Sequence, residues 1–493
     1  MRIAVIGCGY VGLVSGACLA EIGHDVLCVD TDAAKIAALQ SGQSPIYERF
    51  LPELLRRHGG HKLNFTTSTQ EAVTASDVVM IAVATPSGED GMPDLSCVDA
   101  AVAQIARSMN KFKLIVQKST VPVTAGQWVH ELLTSRGVPA SRFEVASNPE
   151  FLREGTAVTD FLYPDRIVLG CDSERASKLM RQMYQPLLSG SYQRGSKAIA
   201  RPNSAQSPAK PQLIETSRNS AELIKYAANA YLSMKISFIN AVAGFCEAIG
   251  ANVEEVAQGM GTDVRIGPHF LRAGLGYGGS CFPKDVAALR FQARQWGCDF
   301  GLLDEVTHIN EEQQQRFLDK VRNAIGHLEG KRLGVLGLSF KGGTDDTRYS
   351  PAIRVVKALL QEQAEIVAFD PAATERARLE IPPAGITYVR DAYTAARNAD
   401  ALLILTDWDE FARLDLSRLR GLLRSPVLVD GRNLYDPKQV AAEGLSYYSV
   451  GRPHAIHELP VRDAEAEVAS ESAAERLGRQ VALGSAATQF AGD

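Results

Sequence analysis

The amino-terminal run RIAVIGCGYVGLVSGACLAEIGHDVLCVD constrains this chain more than any other stretch. A strand-like segment leads into Gly7, Gly9 and Gly12, whose G-x-G-x-x-G spacing opens an apolar helix, and a second strand follows that ends at Asp30. The glycines allow a tight turn, close approach of backbone to a pyrophosphate, and close packing of helix on strand. A carboxylate at the end of the second strand accepts hydrogen bonds from ribose hydroxyls and repels a 2′-phosphate, which favours NAD over NADP. Such a β-α-β unit starts a doubly wound parallel sheet.

Further strand-like runs follow at DVVMIAVATP, KLIVQKST, RFEVASNPEF and DRIVLGC. In an open α/β sheet ligands bind beyond the carboxyl ends of the strands, where Thr85, Thr120 and Glu150 fall. Each threonine also reads as a plain strand-end turn residue. Glu150 and Glu154 are four apart in NPEFLREG, so a helix there would put both carboxylates on one face; a solvated helix start reads equally from the same letters. Residues 189–212 contain no acidic residue and are rich in Ser, Pro, Lys and Arg, the pattern of a mobile basic loop.

A long helix is expected next, capped near Ser217 to Ser220 and running through AELIKYAANAYLSMKISFINAVAGFCEAIG. Lys225 and Asn229 share one of its faces, and the lysine either snorkels to solvent or serves a site. So long and apolar a helix suggests an oligomer interface; Lys235, Asn240 and Glu247 argue against a membrane span. A second α/β unit begins at KRLGVLGLSF and continues through EIVAFDP, ALLILTDW and PVLVDGRN. It lacks G-x-G-x-x-G and is not assigned a dinucleotide. Its loop SFKGGTDDTRYSP offers Lys341 and Arg348 to an anionic ligand, or is simply solvated, with Asp345 and Asp346 balancing the charge.

The stretch FLRAGLGYGGSCFPKD carries the chemistry. Gly274, Gly276, Gly278 and Gly279 allow backbone to approach a ligand closely, and Pro283 suits the first residue of a helix. Cys281 then sits at a helix N-cap, where the free N–H groups and the dipole are expected to lower a thiol's pKa. The alternative is a buried structural cysteine. The eight cysteines show no C-x-x-C pair and no metal-ligand spacing, so no metal is assigned and the thiols read as reduced and intracellular, consistent with a cytoplasmic protein. A net charge of −5 gives no reason to expect nucleic acid or an acidic membrane as partner.

These readings combine into an α/β chain of two Rossmann-like doubly wound units joined by a long central helix. The expected boundaries are 1–212, 213–325 and 326–453, with a disordered tail at 454–493. GCGYVG, KSTVP, SNPEFLREG, AELIKYAANA, GYGGSCFPKD and FKGGTDDTR occur in one order, and in that order the chain resembles the nucleotide-sugar dehydrogenases of the UDP-glucose/GDP-mannose dehydrogenase family. The wording around Cys281 is most similar to members acting on UDP-glucose; the same chemistry on GDP-mannose or a UDP-N-acetylhexosamine, or a non-catalytic NAD and nucleotide-sugar binding module, are the alternatives.

The resemblance implies a homodimer built on the central helix, NAD on the first unit, UDP on the second, and oxidation of the sugar's C6 alcohol to a carboxylate in two hydride transfers. It implies Cys281 as nucleophile, passing through a thiohemiacetal and a thioester, with Lys225 and Asn229 at the oxyanion, Asp285 for proton transfer through water, Glu150 for thioester hydrolysis and Thr120 ordering water. Implied cofactor contacts are Gly7, Gly9, Tyr10, Val11, Gly12, Asp30, Lys35, Thr85, Thr120, Glu154 and Arg348. For the UDP-sugar they are Glu150, Phe151, Leu152, Lys225, Asn229, Phe270, Gly278, Lys341 and Arg432, with Arg265 reaching across from a partner subunit.

Overall fold

The computed structural model describes residues 1–88, 91–195, 198–201 and 210–455. Its first sheet contains β1 (Arg2–Ile6), β2 (Asp25–Val29), β3 (Leu63–Thr66), β4 (Val78–Ile81), β5 (Lys113–Gln117), β6 (Phe143–Ser147), β7 (Arg166–Cys171) and β8 (Gln212–Thr216). The strand order is β3-β2-β1-β4-β5-β6-β7-β8. β4 and β5 are buried along their whole length, which is why β4 and the middle of β5 read as apolar runs.

The sheet departs from the expected all-parallel arrangement at one place: β7 runs antiparallel to β6, and β8 follows β7 in parallel. The connection through residues 148–165 therefore turns back at the carboxyl edge of β6, and the NPEFLREG segment stays where a ligand would bind.

The basic segment corrects another expectation. Gln212 already belongs to β8, and Ile199 is buried, its N–H donating to the Tyr192 hydroxyl and its carbonyl accepting from Tyr163. The described ends of this segment are thus packed; residues 202–209, like 456–493 of the expected tail, lie outside the described residues.

The second sheet, in the order β11-β10-β9-β12-β13-β14, is parallel throughout. Its strands are β9 (Arg332–Leu336), β10 (Glu365–Phe369), β11 (Ile386–Tyr388), β12 (Ala401–Ile404), β13 (Val427–Asp430) and β14 (Ser446–Ser449).

Between the sheets runs the central helix, Arg218–Ile249. The Ser217 hydroxyl caps it by accepting from the Ser220 N–H, and Gly250 ends it in the left-handed region at φ 74°. It packs against helices Phe282–Gln295 and Gly301–Ile325 through Asn229, Ser233, Ser237 and Asn240, all buried. These small and polar residues, spaced four, four and three apart, let the helices approach closely. The opposite side leaves Leu223, Tyr231, Phe238, Phe245 and Ile249 exposed. By length and composition alone this helix would cross a membrane, yet it buries Glu222, Lys225 and Asn229 in polar contacts inside the protein.

Candidate active site

The glycine turn has the shape its spacing predicts. Gly7 adopts φ 101°, and a Cβ there would stand 2.6 Å from the Ala82 carbonyl oxygen; a Cβ on Gly12 would meet the Gly7 oxygen. Gly9 differs, because nothing lies within 4 Å of where its Cβ would be. That open face adjoins the start of helix Tyr10–Glu21, which no side chain caps and whose first turn carries no acidic residue. Free amides and an empty approach fit a pyrophosphate.

Asp30 accepts from the Cys8 N–H (2.9 Å), the Asp32 N–H and the Lys35 ammonium (3.0 Å). Burial pushes its carboxyl up, but these donors outweigh it and hold the pKa below the usual value. Tyr10 instead points its hydroxyl at buried Glu48, and both oxygens accept from the Gly155 N–H at 2.8 Å. Thr85 donates to the Thr120 carbonyl (2.8 Å), tying two strand ends together.

Cys281 is the N-cap of helix Phe282–Gln295, which begins one residue before Pro283. Its carbonyl accepts from the Asp285 N–H, so the helix start and the thiol are built by the same turn. The expectation of a lowered thiol pKa is not met: burial pushes the thiol up to about 11, with Lys225 pulling down and Glu150 and Asp285 pushing up. In this conformation desolvation outweighs the pull of Lys225.

Around it the central helix presents Lys225 and Asn229. The Lys225 ammonium pairs with Glu150 at 2.9 Å, both side chains no more than 5% exposed, so this lysine points into the protein and does not snorkel. Glu150 also accepts from the Leu152 N–H (2.6 Å). Burial raises its pKa, but Lys225, Leu152 and Lys118 together bring it below the ordinary value. Asn229 donates to Asp285 (2.6 Å), whose other oxygen accepts from Lys284 (2.6 Å). Thr120 lines a small cavity with Gln117, Ser147, Glu222 and Lys225.

Glu150 and Glu154 do not share a helix face, since residues 151–153 are irregular, and the two carboxylates have different partners. Glu154 accepts from Ser280 (3.0 Å) and from Thr344 (3.3 Å), and Arg348 lies 3.5 Å away. Burial and then Asp346 push its carboxyl up to about 7. Arg348 is held mainly by Asp346, through two guanidinium nitrogens. Lys341 lies on the same loop, its ammonium lowered by burial and supported by Glu154.

The glycine loop before Cys281 is shaped as much by protein packing as by ligand access: a Cβ on Gly278 would stand 2.2 Å from the Tyr349 carbonyl oxygen. Phe270 holds a left-handed φ of 64° and its ring lies 6.1 Å from that of Phe282. Phe151 carries the Arg166 guanidinium 3.8 Å above its ring, and Leu152 packs against the core of the first unit. Arg432 donates to the Leu405 and Phe340 carbonyls. Arg265 stands apart, 86% exposed and paired with Asp263.

Three residues that the sequence reading passed over belong to this cluster. Glu222, one turn before Lys225, accepts from the N–H groups of Thr124 and Gly126 and from Ser147, fastening the loop that carries Thr120 to the central helix. Lys118 donates to Asn148 beside Glu150, and Ser280 bridges Cys281 to Glu154. The helical spacing of Glu222 from Lys225 is the one signal that would have pointed to it.

Comparison with known proteins identifies the family. Residues 1–188 match the NAD binding domain of the UDP-glucose/GDP-mannose dehydrogenase family, residues 219–312 its central domain, and residues 334–437 its UDP binding domain. The chain is 47% identical to a UDP-glucose 6-dehydrogenase of Rhizobium meliloti, over 92% of this chain and all of that protein. It is 43% identical to UDP-glucose 6-dehydrogenase TuaD of Bacillus subtilis, over 92% and 93% of the two chains. Among solved structures, a UDP-glucose dehydrogenase from Pyrobaculum islandicum superposes with a TM-score of 0.80 at 35% identity, covering 92% of this chain and 98% of that one. With its two Rossmann-like units, its NAD-binding turn and its central helix, this chain belongs to the UDP-glucose/GDP-mannose dehydrogenase family and is an NAD-dependent oxidoreductase.

Proposed function

We propose that the enzyme oxidises UDP-glucose to UDP-glucuronate, consuming two NAD and one water per sugar. The observation that carries the chemistry is the enclosure of Cys281 among Lys225, Glu150 and the Asn229–Asp285 pair; the substrate rests on the 47% identical relative named for UDP-glucose. NAD, when bound, accepts hydride from the sugar's C6.

The residues of the chain do the rest. Gly9 leaves room for the pyrophosphate and Asp30 accepts from ribose hydroxyls, with Lys35 orienting its carboxylate. Tyr10, Val11, Thr85, Glu154 and Arg348 are assigned to the cofactor with them. The first oxidation leaves a C6 aldehyde, and the Cys281 sulfur adds to its carbonyl carbon while the thiol proton passes to the carbonyl oxygen, giving a thiohemiacetal. Lys225 and Asn229 steady the oxygen that gains charge. Loss of a second hydride leaves a thioester, whose hydrolysis by water, ordered by Thr120 and assisted by Asp285 and Glu150, releases the acid and restores the thiol. Phe151, Leu152, Phe270, Gly278, Lys341 and Arg432 hold the UDP-sugar.

On this reading residues 1–212 form the NAD unit, 213–325 the helical centre and 326–453 the UDP unit. The exposed side of the central helix, Leu223, Tyr231, Phe238, Phe245 and Ile249, supports a homodimer formed there, which would bring Arg265 to a second copy's site. The protein is assigned to the cytoplasm, on its reduced cysteines.

The test is Cys281→Ser supplied with UDP-glucose and excess NAD. Acid formation is expected to fall to background, because a hydroxyl is a far poorer nucleophile near neutral pH. Undiminished acid production would rule out the thioester route.

A further inference from the structure

Ser280 stands between the sulfur of Cys281 and the carboxyl of Glu154. Its hydroxyl oxygen lies 3.6 Å from the sulfur and 3.0 Å from a Glu154 oxygen. Among the described residues it is the one hydrogen-bonding partner of the thiol. A hydroxyl carries one hydrogen and two lone pairs, so this chain of three groups has two wirings. With Glu154 ionised, Ser280 donates to the carboxylate and accepts from the thiol. With Glu154 protonated and the sulfur charged, the acid donates to Ser280 and Ser280 donates to the sulfur. Passing from the second wiring to the first delivers one proton to Cys281.

Thioester hydrolysis needs such a delivery, because the C–S bond breaks with its electron pair on sulfur. Burial pushes the thiol up to about 11, so a bare thiolate leaves poorly here. The charged groups facing the sulfur are Lys225, Glu150, Asp285 and Arg348. Burial lowers the Lys225 ammonium, but Glu150, Cys281 and Asp285 together raise it, so it keeps its proton. Glu150 is below its ordinary pKa and has none to give, and Asp285 accepts from Asn229 and Lys284. Glu154 differs. Facing it are Asp346, Arg348, Lys341 and Thr344 of the second unit and Tyr10 of the first. Burial and then Asp346 push its carboxyl up to about 7, so it carries a proton for much of the time at neutral pH.

We propose that Ser280 and Glu154 return the proton to Cys281 when the thioester is cleaved, Ser280 in contact with the sulfur and Glu154 as the acid behind it. Water adds to the thioester carbon and loses a proton to the carboxylates of Glu150 and Asp285. As the C–S bond breaks, the sulfur takes the Ser280 hydrogen and Ser280 takes that of Glu154. The sugar acid is released, the thiol is restored, and Glu154 stays ionised until solvent reprotonates it. From about 7 on the carboxyl to about 11 on the sulfur, the transfer runs downhill. The inference rests on the reading of Cys281 as the nucleophile of a thioester route.

The test mixes the full-length enzyme with UDP-glucose and excess NAD, quenches in acid, and reads NADH per site together with the mass of the protein. Ser280→Ala is expected to give a burst of two NADH per site, then turnover roughly 100-fold slower, with the UDP-glucuronyl group retained on Cys281. Ser280→Thr, which keeps the hydroxyl, is expected to clear that adduct. In the wild type the adduct is expected to rise with pH through about 7, where Glu154 loses its proton, and in Glu154→Gln to stand high from pH 6 upward. A folded Ser280→Ala enzyme free of adduct, whether fast or uniformly slow, would overturn the proposal. So would equal adduct in Ser280→Thr, which would mean that the fit of the side chain matters and not its hydroxyl, or a Glu154→Gln enzyme like the wild type at pH 6. A wild type that forms no second NADH would refute the proposed reaction and this inference with it. A wild type that forms two, beside an adduct-free Ser280→Ala, refutes this inference alone.

Discussion

The two Rossmann-like units start from the same frame and use it for opposite ends. In the first, β1 ends at Gly7 (φ 101°), whose N–H donates to the Val29 carbonyl; in the second, β9 ends at Gly337 (φ 96°), whose N–H donates to the Phe369 carbonyl. The next amide reaches the acidic residue just past the neighbouring strand in both: Cys8 to Asp30, Leu338 to Asp370. After that they diverge. The first unit enters its helix at Tyr10, the second only at Pro351.

Residues 338–350 stand where the first unit enters its helix, and Leu338 and Ser339 from their start join Ala372, Ala373 and Trp408 in saturating Asp370. That carboxylate accepts from the N–H groups of Leu338, Ser339, Ala372 and Ala373, the Ser339 hydroxyl and the Trp408 indole. Asp30 keeps acceptor capacity for a ligand, whereas Asp370 keeps none. The long loop instead extends Lys341, Thr344 and Arg348 toward Glu154 of the first unit. A binding site has become a structural hub and an arm across the cleft.

The sharpest way to break this contrast is to remove both carboxylates. Asp370→Ala strands several buried donors, and denaturant unfolding is expected to show a loss of at least about 3 kcal/mol. Asp30→Ala is expected to cost only about 1 kcal/mol of stability, because its side chain is partly exposed and holds three donors. Its effect falls on the cofactor: KM for NAD rises roughly tenfold or more, and the preference over NADP relaxes. Similar stability losses for the two variants would show that the hub and the site are not distinct.

The smallest effect belongs to the contact between the units. Glu154, raised by burial and then by Asp346 to about 7 from an ordinary 4.5, keeps a proton in the folded state that the unfolded chain releases across that window. The folded state binds more protons there, so this group's contribution to stability declines as pH rises from about 4.5 to 7. Glu154→Gln is expected to narrow the difference in thermal midpoint between pH 5 and pH 8 by a few degrees, at about 1 °C per kcal/mol for a chain of 493 residues. An unchanged difference would mean that Glu154 is ionised throughout.

What is legible in the sequence follows from how local each signal is. Gly7, Gly9, Gly12 and Asp30 lie within one β-α-β unit, and their geometry is as their spacing predicts. The face shared by Lys225 and Asn229 is equally legible, because helical periodicity is a local property. Neither Glu222 holding the Thr124 loop nor Asp346 raising Glu154 is readable, since each joins segments far apart in the chain. The raised thiol pKa has the same origin: the helix N-terminus at Phe282 is written in the sequence, but the burial that raises the thiol comes from the fold around it. The turn of β7 against β6 is hidden because an apolar strand carries no mark of its direction.

The most direct test is the amount of NADH formed when UDP-glucose is limiting and NAD is in excess. Two NADH per UDP-glucose, with UDP-glucuronate as product and little from GDP-mannose or UDP-N-acetylmannosamine, is the expected result. One NADH per sugar would mean an oxidation that stops at the aldehyde, and would contradict the role of Cys281 as the nucleophile of a second oxidation.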